Sequence, residues 1–336
     1  MTIRIFSLML IVVSGCASKI EQVENIENEE MLGVLVNTTF GQILGQEDQE
    51  QTWSWRGIPY AKPPVGEFRW KAPRDPEPWD GVREAFEYRD IAVQYDGNIA
   101  EAQTVIGSED CLYLNIWRPR SQDRNLPVYF WIHGGGNTIG TARDNEGMNI
   151  AGRGNMIVIT MEYRLGPLGW FTHSDMRTGE NDLDDSGNYG TLDIIKALEW
   201  VQENIAMFGG DPQNVTLAGE SAGGLNVFTM IVSPLAKGLF HKAMIQSGDF
   251  WTTTLEEADK DGATVLEKML AEDNLSQVPD TGVAVYLRSK SADELMSAYI
   301  PGAAGLIDQR LGAYLDGVVL PIQGISLSGV ELSWCM

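Results

Sequence analysis

Five residues constrain this chain more than any other feature: Gly219-Glu220-Ser221-Ala222-Gly223, set directly after the apolar run Val215-Thr216-Leu217-Ala218 and just before a helix-compatible segment at 225–232. A strand passing into a helix over so few residues needs a sharp turn. Glycine on either side of the serine lets backbone approach backbone where a side chain would collide. The serine hydroxyl is then presented outward, at the end of a sheet. In a chain with 36 glycines the five residues alone would say little; their setting between strand and helix gives them weight.

The same alternation runs through the chain. Apolar strands are expected at 127–133, 156–163, 214–219 and 242–247. Between the second and third, Leu192, Ile195, Leu198, Val201 and Ile205 recur at helical spacing and form one apolar stripe. Glycine and proline in Gly209-Gly210-Asp211-Pro212 stop that helix. Strands alternating with helices predict an α/β fold, a mostly parallel central sheet flanked by helices. Ahead of it, Gly33-Val34-Leu35-Val36 and Gly41-Gln42-Ile43-Leu44-Gly45 read as an N-terminal antiparallel β hairpin. With no repeat and no linker in 336 residues, one large domain from residue 31 onward is expected.

Charge narrows the partners. Against 24 Lys and Arg stand 47 Asp and Glu, a formal charge of −23, which repels phosphate backbones and excludes nucleic acid. The three cysteines, Cys16, Cys111 and Cys335, support no disulfide framework, and the lack of a CxxC or His-rich cluster argues against a structural zinc site.

At the N-terminus, Arg4 precedes an apolar run that ends in Val13-Ser14-Gly15-Cys16. The run is too short for a spanning helix, which needs about 20 residues, and reads as a secretory signal over 1–15. Val13-Ser14-Gly15-Cys16 resembles a bacterial lipobox, which implies that Cys16 is acylated and that the protein sits in the bacterial cell envelope, at the outer membrane. Contact with membrane is expected through that lipid anchor alone, with 16–30 as an acidic tether.

A serine nucleophile needs donors for the oxyanion that forms during attack. His133-Gly134-Gly135-Gly136 follows an apolar strand upstream of the serine, as the HGGG loop of lipases and esterases does. By motif position the donors are the N–H groups of Gly135, Gly136 and Ala222, and His133 shapes the loop. These motifs mark an α/β-hydrolase, and the chain over 31–321 resembles the type-B carboxylesterases. The further matching stretches are Arg56-Gly57-Ile58-Pro59-Tyr60-Ala61, Glu109-Asp110-Cys111-Leu112-Tyr113, Tyr163-Arg164-Leu165-Gly166, Gly187-Asn188-Tyr189-Gly190, Phe208-Gly209-Gly210-Asp211-Pro212 and Gln246-Ser247-Gly248. The resemblance implies an ion pair between Arg56 and Glu109, an active-site glutamate at Glu220, a small-molecule ester substrate and no cofactor.

The chain departs from the family pattern in several places. Val93 stands where the partner cysteine of Cys111 is usual, so Cys111 is expected to be free and buried. No tryptophan lies between Val93 and Asp110, which argues against choline esters. Asn137 follows the glycines where an aromatic is common, and Glu162 replaces an Asn; both are expected to alter the pocket. Asp182, Asp184, Ser186, Gly187 and Asp193 fall at spacings like those of a calcium loop, but the family match already accounts for the last two, and no metal is expected.

In this fold the order is serine, acid, histidine. Only His241 follows Ser221, with no Asp or Glu between them. The resemblance puts the family's acid and histidine beyond Asp316-Gly317-Val318-Val319-Leu320-Pro321, so the C-terminal part of the fold is expected to be missing. Two readings follow: a carboxylic ester hydrolase acting on uncharged esters through an acyl-enzyme, or an inactive lipoprotein that uses the scaffold to bind a ligand or protein.

Overall fold

Short apolar runs cut by glycine and proline favour strands. The computed structural model, which describes residues 33–96, 104–299, 306–307 and 311–322, contains fourteen of them among those residues. They are Leu35–Asn37 (β1), Gln42–Leu44 (β2), Gln46–Asp48 (β3), Thr52–Pro59 (β4), Val82–Glu84 (β5), Gln94–Tyr95 (β6), Val105–Ile106 (β7), Tyr113–Pro119 (β8), Leu126–Ile132 (β9), Ile157–Met161 (β10), Gly210–Glu220 (β11), Lys242–Gln246 (β12), Thr253–Thr254 (β13) and Tyr314–Leu315 (β14). The helices are Met148–Gly154 (α1), Gly166–Gly169 (α2), Tyr189–Asn204 (α3), Ala222–Val232 (α4), Leu255–Glu272 (α5), Val283–Arg288 (α6) and Ala292–Ser297 (α7).

The hairpin forms as expected, with Leu35 opposite Leu44, and β5 extends it in parallel to β2. The large sheet has the order β12-β11-β9-β10-β8-β4-β3. Its first four strands run parallel, whereas β10/β8, β8/β4 and β4/β3 are antiparallel. The sheet is therefore mixed, with the parallel part confined to the half that carries the serine. Connection length explains the division: β3 and β4 are joined by a tight turn that permits only antiparallel pairing, while α1, α3 and α4 supply the long crossovers that parallel neighbours need.

Burial follows position in the sheet. All five residues of β10, strictly central, are buried, and β9 buries Leu126, Val128, Phe130 and Ile132 in alternation. The α3 stripe of Leu192, Ile195, Leu198 and Val201 is buried as its spacing predicts, and so is Ile205 in the turn that follows. Ile194, Ala197 and Trp200 are buried too, so α3 is covered on most of its circumference. At about 1.5–3 kcal/mol for each large apolar side chain, this helix is a main anchor of the sheet. It ends at Asn204, and a 3₁₀ turn leads to Gly209, whose φ of +80° breaks the spiral. At the other end Asn188 bonds the backbone of Tyr314 on β14 through both its oxygen and its nitrogen.

Among the regions not read from the sequence are β4, β8 and the helices after residue 254. The signals existed for two of those helices. Thr254 with Glu257 and Ser291 with Glu294 form complete capping boxes at the starts of α5 and α7. Cys111 is buried and free, with Val93 also buried. Among the described residues β12 is the last strand on that side of the sheet, and its Lys242, Ala243, Met244 and Gln246 are exposed. The proposed signal over 1–15, the tether over 16–30 and Cys16 lie outside the described residues.

Candidate active site

Strand β11 ends at Glu220, and Ser221 takes φ +53° and ψ −119° before α4 starts at Ala222. A non-glycine residue adopts that conformation only when its surroundings hold it there, at a cost of about 1–3 kcal/mol. The holding bonds are visible: the Ser221 N–H donates to Gln246 O at 2.9 Å on the neighbouring strand, and Leu225 N–H donates to Ser221 O at 3.0 Å in the helix. Backbone crowding forces the flanking glycine. A Cβ on Gly223 would lie 2.2 Å from Ile132 O at the end of β9, a contact no side chain tolerates.

The glycine loop rises from the end of β9, beside β11. A Cβ on Gly134 would lie 2.7 Å from Glu220 O, 3.0 Å from Glu220 Oε2 and 3.2 Å from Ser221 Cβ. Loop and elbow are therefore packed directly against each other. Gly135 has φ +102°, and the N–H groups of Thr138 and Ile139 both turn back to its carbonyl at 3.0 Å. The N–H groups of Gly135, Gly136 and Ala222 donate to no described protein atom. Leu306 lies over Gly136, close enough that a Cβ there would meet its Cδ2 at 2.8 Å. The Glu220 side chain is exposed.

Side chains from distant elements fix this loop. Gln94 on β6 accepts from Gly140 N–H at 2.8 Å and donates to Gly140 O at 2.9 Å. Asn137, buried and at φ +58°, accepts from Asn226 on α4 at 2.9 Å, while its carbonyl accepts from Gly166 N–H at 2.7 Å. Asn137 thus forms a polar tie between loop and helix. Glu162 Oε1 accepts from the Thr141 hydroxyl at 2.6 Å and from Ala142 N–H at 2.9 Å. None of these ties was legible in the sequence, where Gln94, Asn226 and Thr141 stand in unremarkable surroundings.

The His133 ring packs against Gly140 at the far end of the loop, where an added Cβ would lie 2.6 Å from its Nδ1. The ring is buried, stacks on Tyr163 with centroids 4.5 Å apart, and has Nδ1 2.9 Å from Gly134 O; Tyr163 donates its hydroxyl to His133 O at 2.8 Å. Burial pushes this imidazole down to about 4 and pushes the neighbouring Glu162 carboxyl up to about 7. The other two histidines lie elsewhere. Nδ1 of His173 accepts from Asp175 N–H, and His241, exposed at the approach to β12, accepts from Val215 N–H at 3.3 Å.

The ion pair expected between Arg56 and Glu109 does not form. Arg56 reaches back across the β3/β4 pair to Asp48 at 2.5 Å, and Glu109 is held by Arg69, Nε to Oε2 at 2.7 Å and NH2 to Oε1 at 2.5 Å. The reason is placement. Arg56 sits inside a strand whose hairpin neighbour brings Asp48 alongside, whereas Arg69 leaves a turn free to meet the loop that carries Glu109. Arg69 also donates to Lys290 O at 2.6 Å, joining the N-terminal region to the chain just before α7. Two of the three acidic residues with calcium-like spacing are engaged as well, Asp184 with Arg74 and Asp193 with Arg164, and among the described residues no acidic, Cys or His group is arranged to hold a metal.

Known proteins resemble this chain in sequence and fold. A model of the carboxylesterase family matches residues 33–327. The para-nitrobenzyl esterase of Bacillus subtilis (strain 168) is 40% identical over 269 residues, covering 79% of this chain and 53% of that protein. Carboxylesterase 1C of Rattus norvegicus is 38% identical over 308 residues, covering 85% of this chain and 53% of that one. A solved PNB esterase superimposes with a TM-score of 0.72 at 38% identity, over 85% of this chain and 58% of its own. The chain thus spans about half the length of the curated relatives it matches. The fold is that of the α/β-hydrolases, and the chain belongs to the carboxylesterase family.

Proposed function

We propose that the chain serves the hydrolysis of uncharged carboxylic esters through a serine acyl-enzyme. Ser221 Oγ attacks the carbonyl carbon, the amides of Gly135, Gly136 and Ala222 hold the oxyanion, the alcohol leaves, and water releases the acid without a cofactor. The observation that carries this reading is the contact of the glycine loop with a serine held at φ +53° between strand and helix. The names of the relatives, a para-nitrobenzyl esterase and a medium-chain fatty acyl-CoA hydrolase precursor among them, support ester and thioester chemistry in longer proteins, of which the matched region is 53% and 56%.

A second reading, a binding scaffold without turnover, is favoured by the histidines. His133 turns its ring nitrogens to Gly134 and Glu162, and His173 and His241 are bonded elsewhere. Without an imidazole, a serine is a weak nucleophile at neutral pH; in one serine protease, loss of the histidine costs about 2 × 10⁶ in kcat. A fluorophosphonate probe decides between the two. Labelling that disappears in Ser221→Ala supports hydrolysis, and a folded protein that takes no label supports binding alone.

Attachment to a bacterial envelope through Cys16 belongs to the same proposal, supported by the run Val13-Ser14-Gly15-Cys16. Expression with a radiolabelled fatty acid tests it, since Cys16→Ser should leave the protein unlabelled and released from the membrane fraction.

A further inference from the structure

Beneath the glycine loop two buried polar atoms face each other without a hydrogen-bond partner: Nε2 of His133 and Oε2 of Glu162, 3.8 Å apart, on side chains 3% and 4% exposed. A buried polar atom left unmatched costs about 1–3 kcal/mol, so two of them aimed at each other call for an explanation. Donor and acceptor rules supply one. Gly134 O only accepts, so Nδ1 of His133, 2.9 Å away, carries the ring proton. In the neutral ring Nε2 is then a bare lone pair. Oε1 of Glu162 already accepts two hydrogen bonds, leaving Oε2 as the atom that meets the lone pair. Two acceptors repel. One proton between them turns the contact into a bond, and a movement of about 1 Å brings the atoms to hydrogen-bond distance.

We propose that Glu162 is a positioning residue of the glycine loop, held as the neutral acid: Oε2–H donates to Nε2 of His133 while Oε1 accepts from Thr141 and Ala142, so that one side chain ties both ends of the loop over 133–142. Its effect on ester hydrolysis rests on the reading of Gly135 and Gly136 as oxyanion donors; the proton itself does not.

The surroundings favour a proton on the carboxyl. Burial raises Glu162 and lowers His133, and the two charged residues of the next turn, Arg143 and Asp144, act on Glu162 in opposite directions. Tyr60 donates only to the main-chain carbonyl of Glu162, and burial raises Tyr60, Tyr163 and Cys111, which keeps all three neutral. No Arg or Lys among the described residues is hydrogen-bonded to the Glu162 carboxyl. As pH rises through about 7 the proton leaves, and the His133 end of the tie opens.

The test needs no turnover. Infrared spectra of the full chain, parent against Glu162→Gln, isolate the carboxylic-acid carbonyl band of Glu162. Proton–nitrogen NMR follows the amides of Gly135 and Gly136 and the ring of His133, one of three histidines in the chain. The acid band should be present near pH 6 and vanish with a midpoint near 7, and the two glycine amides should shift with the same midpoint. In Glu162→Gln, whose amide donates at every pH, those amides should not titrate. Absence of the acid band, or glycine amides indifferent to its loss, overturns the proposal. Should the variant fail to fold, ¹³C-labelled glutamate in the parent reads the same two outcomes. Fluorophosphonate labelling keeps the two proposals apart: a titrating acid band without labelling leaves Glu162 its role and removes ester hydrolysis, and labelling without an acid band does the reverse.

Discussion

Arg164 grips Asp193 with two parallel bonds, Nε to Oδ2 at 2.8 Å and NH2 to Oδ1 at 2.7 Å, on side chains 3% and 0% exposed. The pair joins the segment after β10 to the first turns of α3, just behind the glycine loop. Coulomb attraction at such a site roughly balances the cost of drying both ions, but removing one partner strands the other. Asp193→Asn should therefore lower stability by about 3–5 kcal/mol, and a double variant, Arg164→Met with Asp193→Leu, should recover much of that loss. Urea midpoints of the three chains measure it. A single variant as stable as the parent would show that the pair is not energetically buried.

Gly223→Ala should cost about 3 kcal/mol or more, because the new methyl meets the Ile132 carbonyl, backbone that cannot step aside. Gly238 is the control: its φ is +84° but nothing lies within 4 Å, so alanine there should cost only about 1–2 kcal/mol. Equal losses at the two positions, read by thermal unfolding, would mean that crowding at the elbow is not the reason for the glycine.

Ser221→Gly relieves a backbone that glycine adopts freely, and the unfolded chain gains freedom in exchange. The relief outweighs that gain, so the variant should be more stable than the parent by about 1 kcal/mol while losing all fluorophosphonate labelling. A destabilised variant would place the cost of the elbow elsewhere.

The buried pair gives stability two opposing pH dependences. Glu162 is raised in the fold to about 7 from its ordinary 4.5, so its contribution is full at low pH and is lost as pH climbs from about 4.5 through 7. His133 is lowered to about 4 from 6.5, so its contribution is full above about 6.5 and is lost as pH falls toward 4. Glu162→Gln removes the first and keeps the second. Its stability relative to the parent should rise by on the order of 3 kcal/mol between pH 4.5 and 7. Denaturation at several pH values checks it, and a constant difference would place Glu162 at its ordinary value.

A double-mutant cycle separates the two arginines. Arg69→Met with Glu109→Gln should couple by more than about 1 kcal/mol, whereas Arg56→Met with Glu109→Gln should be additive. Coupling of the second pair and not the first would restore the pairing expected from the sequence.

Periodicity and punctuation revealed the parallel half of the sheet, the α3 stripe and the elbow, because each is written in consecutive residues. The antiparallel half was harder to read. In β4 nearly every residue is buried, so Thr52, Ser54 and Trp55 show no alternation, and a bulge between Trp55 and Ile58 shifts the register. Ion pairs resisted for a different reason. Whether Glu109 meets Arg56 or Arg69 depends on how a turn and a loop meet in space, and local sequence carries no record of that. Glu162 stood out only as an unusual residue, and its proton became apparent once the nitrogen opposite it could be seen.

The two-sided hold of Gln94 on Gly140 has a practical consequence. Together with Asn226 and Glu162 it means that the geometry of the glycine loop is stored largely outside the loop. The segment His133 to Gly136 copied into another sheet would arrive without its moorings, and its amides would have to be aimed anew. An engineer wishing to transplant this loop has to move a scattered set of side chains from a small strand, a helix and the end of the central strand along with it, so the loop behaves as a property of the whole fold rather than as a cassette.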